Sequence, residues 1–588
     1  MDMKNLDQFS YTELPPILST EGMRQLDAAT KEEMAKGACC ANKMRGDGEA
    51  CTAVEAGYEL MKLAGAALYN RVVAILDGED AHCGAKNAPG TPVKTASRAV
   101  AVFVGRGNNG GDGLVLAKLL IEAGIPCTTY SLAAAEKFKN EAKMALDDFS
   151  QAGGKLVAYS QTEEGLSQAK AAPQVSKFAR FDLIVDCMLG NGASGELREL
   201  YAAAVRDIGA AGVRVVAADA PTGYDSSEHG RREPCIHAEE TLLFGFPRLD
   251  AYIREGGEVF GQPAVATLPY PDALARNYDT KLYLATEALI PQMLPERDDW
   301  GDKRKQGCAM IVAGSGDMPG AAALCTQAAL RSGAGLVTLA SPDAIMPVLQ
   351  TKLSEPVFCN LQDITGQDGD SVDDRATSFS SAHIPQILEK VKHNQALAIG
   401  PGLGSAECTQ GAVIDLLTQI ACPTVIDADA LNAIASLNRT SASPASGAAS
   451  FLYGIPCEAI LTPHRREFER LFGALPTNDI DIPNLLRDIA RNTKKVILLK
   501  GAPTFVAIPD GRVFVIPAHN SGLAKGGSGD VLTGIITALL AQGLRAPEAA
   551  VLGALLHQKA GRIARAKMGA FSMLPSDVIE MLPQAFCC

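Results

Sequence analysis

The sequence predicts an α/β protein built from two parallel-sheet domains, and three features lead to that expectation. Short apolar runs alternate with longer helical patterns through both halves of the 588 residues, as strands buried on both faces and their crossover helices would. Glycine and alanine are abundant while aromatic residues make up only 5%, which suits tight strand-to-helix turns. The Gly- and Asp-bearing motifs follow directly on apolar runs, where ligands bind beyond the carboxyl ends of parallel strands.

In the first half, residues 99–104 read as a strand, 111–123 as a helix and 127–132 as a second strand. Residues 181–186 and 213–219 are two more strands, with a helix from about 196 to 210 between them. The first strand runs into Gly105-Arg106-Gly107-Asn108-Asn109-Gly110-Gly111-Asp112-Gly113, a literal GxGxxG. A dehydrogenase site would also place an acid at the end of the next strand, and Cys127-Thr128-Thr129-Tyr130-Ser131 has none. The expectation is therefore a Rossmann-like domain with a phosphate-cradling turn, in which Asn108 and Asn109 offer hard oxygens and hydrogen bonds. Asp186 and Asp219 end neighbouring strands. One such Asp commonly caps a turn. Two facing a crevice lined by an anion loop suffice for a cation ligand and an acid/base.

Residues 268–307 change character, with several prolines and a charged run over 296–305 that reads as a solvated segment. The boundary falls near 280, giving domains 15–280 and 281–588. The second half repeats the alternation. Strands at 309–313, 396–399, 423–426 and 496–499 lead into motifs at 314–320, 400–404, 427–432 and 500–504. The Ser/Ala-rich stretch 441–450 reads as a flexible surface loop. The most informative segment is Asn520-Ser521-Gly522-Leu523-Ala524-Lys525-Gly526-Gly527-Ser528-Gly529-Asp530, which opens an apolar helix over 531–540. Its glycines let backbone N–H groups approach an anion, the helix start adds positive potential, and Asp530 stands there as a base. That suits phosphoryl transfer to a hydroxyl. No GxxxxGK[ST] occurs around it, so it is not a Walker A loop.

The net charge of −13 disfavours nucleic-acid binding, which needs a basic face. The 15 cysteines show no zinc-like paired spacing and read as reduced thiols of a cytoplasmic protein, Cys39-Cys40 and Cys587-Cys588 among them. No signal or transit peptide pattern opens the chain, and no apolar run reaches membrane-spanning length.

In order and spacing, residues 105–113, Val185-Asp186 and Asp219-Ala220-Pro221-Thr222-Gly223 resemble the epimerase motifs of the bifunctional NAD(P)H-hydrate repair enzymes. Residues 314–321, 400–404, 427–432, Thr462-Pro463-His464, 500–504 and 520–530 resemble those of the ADP/ATP-dependent dehydratase in the same family, whose fold is ribokinase-like. The resemblance implies that Asn108, Asn109, Gly110, Gly111 and Asp112, with Gly190, Asn191 and Gly192, bind the hydrated dinucleotide. It implies that Asn109, Asp186 and the Thr222 region hold a potassium ion, and that Asp219 is the acid/base at the hydrated ring. In the second half, Ala321, Gly402 and His464 would contact the hydrate. Lys500, Gly501, Ala502, Pro503 and Thr504, with Gly526, Gly527, Ser528 and Gly529, would hold ATP or ADP with magnesium. Asp530 would activate the ring hydroxyl. A homo-oligomer is expected. Taken alone, a His after Thr-Pro is often a turn residue.

The chain departs from the family at Arg465-Arg466, where Pro-Gly is usual, at Thr222, where Ser is usual, and at Lys62, where an acid is common. Insertions around 38–54 and 83–95 read as peripheral. The competing reading is a ribokinase-like small-molecule kinase whose first half binds nucleotide without catalysis.

Overall fold

The computed structural model describes residues 14–36, 52–78, 98–159, 176–278, 280–362, 377–439, 446–518 and 520–587. The loop at 83–95, most of the 38–54 insertion, Cys39-Cys40 and Cys588 lie outside the described residues. The chain forms two compact units, Pro15–Thr280 and Lys281–Cys588, with Leu14 in the second. Both contain a predominantly parallel sheet, as the sequence pattern predicts.

In the first unit the strands are β1 (Val100–Val104), β2 (Cys127–Ser131), β3 (Leu156–Ala158), β4 (Leu183–Cys187), β5 (Val215–Ala218), β6 (Tyr224–Asp225), β7 (Gly230–Arg231), β8 (Glu240–Phe244) and β9 (Gln262–Ala266). Seven of them form one sheet in the order β3-β2-β1-β4-β5-β8-β9, and β6 and β7 make a separate ribbon. Every pairing in the large sheet is parallel. β1 and β4 are buried along their whole length, β1 as a continuous apolar run and β4 with Asp186 as its one charged residue. The longer helices are α1 (Thr20–Ala35), α2 (Ala53–Leu76), α3 (Asn108–Glu122), α4 (Asn140–Gln151) and α5 (Glu199–Gly209), with short ones at Arg254–Phe260 and Asp272–Arg276. α3 begins three residues before the predicted start because Gly107 caps it, so the Asn-Asn-Gly-Gly-Asp segment is its first turn. α2 opens on a capping box between Thr52 and Glu55.

The second unit carries β10 (Leu282–Leu284), β11 (Cys308–Val312), β12 (Leu336–Pro342), β13 (Val357–Leu361), β14 (Ala396–Ile399), β15 (Thr424–Ile426), β16 (Ala459–Leu461), β17 (Val496–Leu499), β18 (Thr504–Ala507) and β19 (Val513–Ile516). Their order is β10-β19-β18-β17-β16-β15-β14-β11-β12-β13. β18 is antiparallel to both neighbours, and the other pairings are parallel. The turns after β11, β14, β15, β16 and β17 therefore emerge on one rim. The charged run 296–305 is exposed, with Trp300 at 95%. Of the stretch 441–450, which the sequence suggests is a loop, residues 441–445 lie outside the described residues and the rest is helical. A helix spans Ser446–Gly454, with Ala448 and Leu452 fully buried and the Ala448 N–H donating to Asn438 Oδ1 at 2.9 Å. Small residues there serve packing rather than flexibility. The described cysteines are free thiols. No described helix is long and apolar enough to cross a membrane.

The apolar helix Ser528–Ala541 is almost wholly buried and packs on the helix Pro319–Arg331. Their approach depends on Gly534, where an added Cβ would lie 2.2 Å from the Cys325 carbonyl oxygen and 2.8 Å from the Ala328 Cβ. Gly534→Ala is expected to cost about 1–3 kcal/mol through overpacking. Equilibrium denaturant unfolding would show this as a lower midpoint with the slope unchanged.

Candidate functional sites

The first unit has a cavity of about 710 Å³ at the carboxyl ends of its central strands, lined by Asn108, Asn109, Asp112, residues 188–192 and Asp219. The turns after β1 and β4 touch backbone to backbone. An added Cβ at Gly105 would lie 1.9 Å from the Met188 oxygen, and one at Gly110 would lie 1.9 Å from the Gly105 oxygen. Gly110 and Gly111 do not line the cavity. Gly111 faces α2, where an added Cβ would meet the Met61 sulfur at 2.5 Å, so both glycines shape the turn from behind.

Asn109 Nδ2 donates to the Leu189 oxygen at 2.9 Å, while its Oδ1 is buried with no hydrogen-bond partner. Asp186 is fully buried and accepts from Thr222 N and Oγ1, both at 2.8 Å, and from Met188 N at 3.1 Å. Burial pushes its carboxyl up to about 6 against those hydrogen bonds. Thr222 Oγ1 also accepts from Leu189 N at 3.2 Å, so the Asn109, Asp186 and Thr222 side chains all meet the segment 188–189. Asp112 is buried in the anion turn, and burial, then the charges of Asp219 and Asp27, hold its carboxyl well above the usual carboxylate range.

Asp219 has a left-handed backbone, φ 63°, just past the end of β5. Its Oδ2 accepts from Asn191 N at 2.7 Å. Arg248, a buried residue on the segment after β8, donates from one guanidinium nitrogen to Asp219 Oδ1 and from another to the Asp219 carbonyl, both at 2.6 Å. Sequence reading missed Arg248. Its only local signal is its position a few residues beyond a strand whose first residues are polar.

In the second unit a cavity of about 870 Å³ brings together His464, Lys500, Gly501, Ala502, Thr504, residues 526–529 and Asp530. Pro503 does not line it. Neither do Ala321 and Gly402, which pack on each other: Gly402 has φ 64°, and an added Cβ would sit 2.8 Å from the Ala321 Cβ. The segment 526–530 is a turn into the helix Ser528–Ala541, with Gly527 at φ 97° as its N-cap. The first N–H groups of a helix have no intrahelical partner and face whatever binds there. Asp530 is in this first turn. Burial, then the charge of Asp427, pushes its carboxyl up to about 7, with Lys500 pulling the other way.

Lys500 is fixed from below. Its Nζ donates to Asp427 Oδ1 at 2.8 Å, and Thr533 Oγ1 donates to Asp427 Oδ2 at 2.6 Å. Burial lowers the lysine, but Asp427 chiefly, with Glu467 and Asp530, reverses this and leaves it above its ordinary value, fully charged. The ammonium stands where an added Gly529 Cβ would be 3.2 Å away, so cation and helix start point at one place. His557, also in the lining, is pushed down to about 4 by burial and then by Lys500, and is a neutral imidazole. Lys525 braces the turn by donating to the carbonyls of Phe571 at 2.8 Å and Met573 at 2.7 Å.

The comparisons with known proteins match the two halves of the chain to separate families. Residues 309–584 match the family described as NAD(P)H-hydrate dehydratase, and residues 57–249 match the family described as YjeF-related protein N-terminus. The bifunctional NAD(P)H-hydrate repair enzyme of Moorella thermoacetica is 35% identical, over 83% of this chain and 88% of the relative. The chain belongs to the bifunctional NAD(P)H-hydrate repair family. The relative of the same description from Thermofilum pendens is 31% identical over 82% of this chain and 87% of its own. A Bacillus subtilis structure titled ADP/ATP-dependent NAD(P)H-hydrate dehydratase, co-crystallised with ATP and Mg2+, is 31% identical, covering 51% of this chain and 96% of that one, with a TM-score of 0.40.

Against the family pattern, the Arg465-Arg466 replacement leaves the local cap intact. His464 caps the helix Arg465–Phe472, with Glu467 N donating to His464 Nδ1 at 3.2 Å and His464 N donating to Glu467 Oε2 at 2.9 Å. Arg465 pairs with the buried Asp479 at 2.6 Å. Lys62 forms a surface pair with Glu59 at 2.8 Å, away from both cavities.

Asp427 has no free oxygen and serves to hold Lys500. Asp427→Ala leaves the half-buried Lys500 ammonium without its carboxylate and is expected to cost about 3 kcal/mol. Thr533→Val removes one hydrogen bond and should cost about 1 kcal/mol. Thermal unfolding of the two variants would rank them in that order.

Proposed function

We propose that the chain restores hydrated NADH and NADPH, with its first unit interconverting the R and S hydrates and its second dehydrating the S form at the expense of ATP or ADP. The observation that carries the second assignment is Asp530: a carboxyl with its titration pushed up to about 7, at a helix start beside the Lys500 ammonium. A base is most effective when it titrates near the working pH.

The hydrate carries a hydroxyl on its nicotinamide ring, and hydroxide leaves poorly. Asp530 takes the hydroxyl proton as the oxygen attacks the terminal phosphorus, so that an O–P bond forms while the bond to the departing nucleotide breaks. The N–H groups at residues 527–530 and Lys500 meet the charge spread over the phosphoryl oxygens. The ring nitrogen then expels phosphate, and loss of a proton from the neighbouring carbon restores the double bond. Lys500, Gly501, Ala502 and Thr504 with residues 526–529 would hold the nucleotide, and magnesium would enter on its phosphates. His464 faces the same cavity and would contact the hydrate. Ala321 and Gly402 would act by shaping the adjoining turn.

In the first unit Asp219 would move the proton in epimerisation. Asn108, Asn109, Asp112 and residues 190–192 would receive the dinucleotide. The oxygens of Asn109, Asp186 and Thr222 suit a hard alkali cation, and the buried, unpartnered Asn109 Oδ1 supports potassium there. The ion would supply fixed positive charge beside the substrate. Cytoplasmic location and association of like chains belong to the same reading.

Dehydration of the pure S hydrate tests the assignment. Because Asp530 acts as the ionised base, kcat/KM should rise with pH and level off above about 7. Asp530→Asn should lower kcat by about 10²- to 10⁴-fold with nucleotide still bound. A flat pH profile and a near-normal rate in the variant would remove Asp530 from the mechanism.

A further inference from the structure

Asp219 is placed by an arrangement that no local motif encodes. A non-glycine residue at φ 63° costs roughly 1–2 kcal/mol and needs its surroundings to hold it. Arg248 is the group that does so. It is only 2% exposed, and its guanidinium spans both the carboxylate and the backbone carbonyl of Asp219, each at 2.6 Å. One cation thereby fixes the backbone turn and the side-chain direction together, leaving Oδ2 on the Asn191 N–H at 2.7 Å beside the cavity.

Behind Arg248 stands a second carboxylate. Asp250 is 2% exposed, its Oδ1 lies 3.5 Å from Arg248 Nε, and neither of its oxygens accepts a hydrogen bond. Arg248 Nε likewise has no hydrogen-bond acceptor. Asp250 therefore acts on Arg248 as a charge at a distance. A buried guanidinium with carboxylates on both sides has one stable orientation. Arg could supply this clamp where Lys could not, because two separate donors in a planar fork are needed to hold a carboxylate and a carbonyl at once.

We propose that Arg248, backed by Asp250, is a positioning residue for epimerisation: it locks Asp219 in the left-handed turn that aims its carboxylate at the hydrated ring. This rests on the reading of Asp219 as the acid/base. Displacement of a reacting group by about 1 Å can cost on the order of 100-fold, so the clamp matters for rate rather than for affinity.

The test is interconversion of the R and S hydrates by the full-length protein, with nucleotide-dependent dehydration in the same preparation reporting that the second unit is intact. Arg248→Ala should lower epimerisation kcat by about 100-fold with little change in KM. Free guanidinium ion, filling the space left by the side chain, should restore at least a tenth of the wild-type rate. Arg248→Lys should stay well below wild type, and Asp250→Asn should fall between. A rise in KM with kcat retained would make Arg248 a substrate contact and overturn the proposal. So would a loss of kcat that guanidinium does not restore, which would mark a general defect in the fold. Asp219→Asn, run alongside, separates the two levels. If that variant keeps its rate, the acid/base assignment itself fails. If it loses the rate while Arg248→Ala keeps it, only the clamp fails.

Discussion

Both units depend on one constraint: parallel strands buried on two faces deliver all their carboxyl ends, and the loops that follow, to the same rim. Polar side chains reaching that rim are partly withdrawn from water, so each charge there must be matched by another group. In the second unit Asp427 answers Lys500, and Thr533 completes the carboxylate. In the first, Arg248 answers Asp219. Asp530 and Asn109 are among the groups left imperfectly matched. Asp530 has a carboxyl pushed up to about 7, and Asn109 Oδ1 has no partner.

The two sites solve the anion problem with the same local device and differ in what surrounds it. Each uses a glycine-rich turn into a helix start, at α3 and at the helix Ser528–Ala541. In the first unit burial and the nearby Asp219 and Asp27 keep the carboxyl of Asp112 well above the usual carboxylate range. In the second, a charged lysine stands over the turn and favours a highly charged phosphate ligand. That contrast follows the tasks: holding a dinucleotide while a proton moves, against stabilising a phosphoryl group in transfer.

What could be read from the sequence was what is local. A strand, a glycine turn and an Asp lie within a dozen residues of one another, so the placement of Asp186, Asp219 and Asp530 at strand or helix ends follows from pattern alone. The groups that hold the charged residues of the two sites are distant in the chain. Arg248 is 29 residues from Asp219, Lys500 is 73 from Asp427, and Thr533 is 106 from Asp427. β8 begins Glu240-Thr241, so its apolar run is only Leu242-Leu243-Phe244, and Glu240 is buried against Arg71, a pair at 2.5 Å. The helix at Ser446–Gly454 was hidden by small residues that look like linker until Ala448 is seen packed against the unit's interior.

The most direct test of the account uses an equilibrated mixture of both hydrate epimers with potassium, magnesium and either ATP or ADP, following the return of reduced-nicotinamide absorbance. Two working sites predict complete recovery, with the better nucleotide identifying the donor. Recovery stopping at the share of the S epimer would contradict the role of the first unit, and no recovery with either nucleotide would contradict the account as a whole.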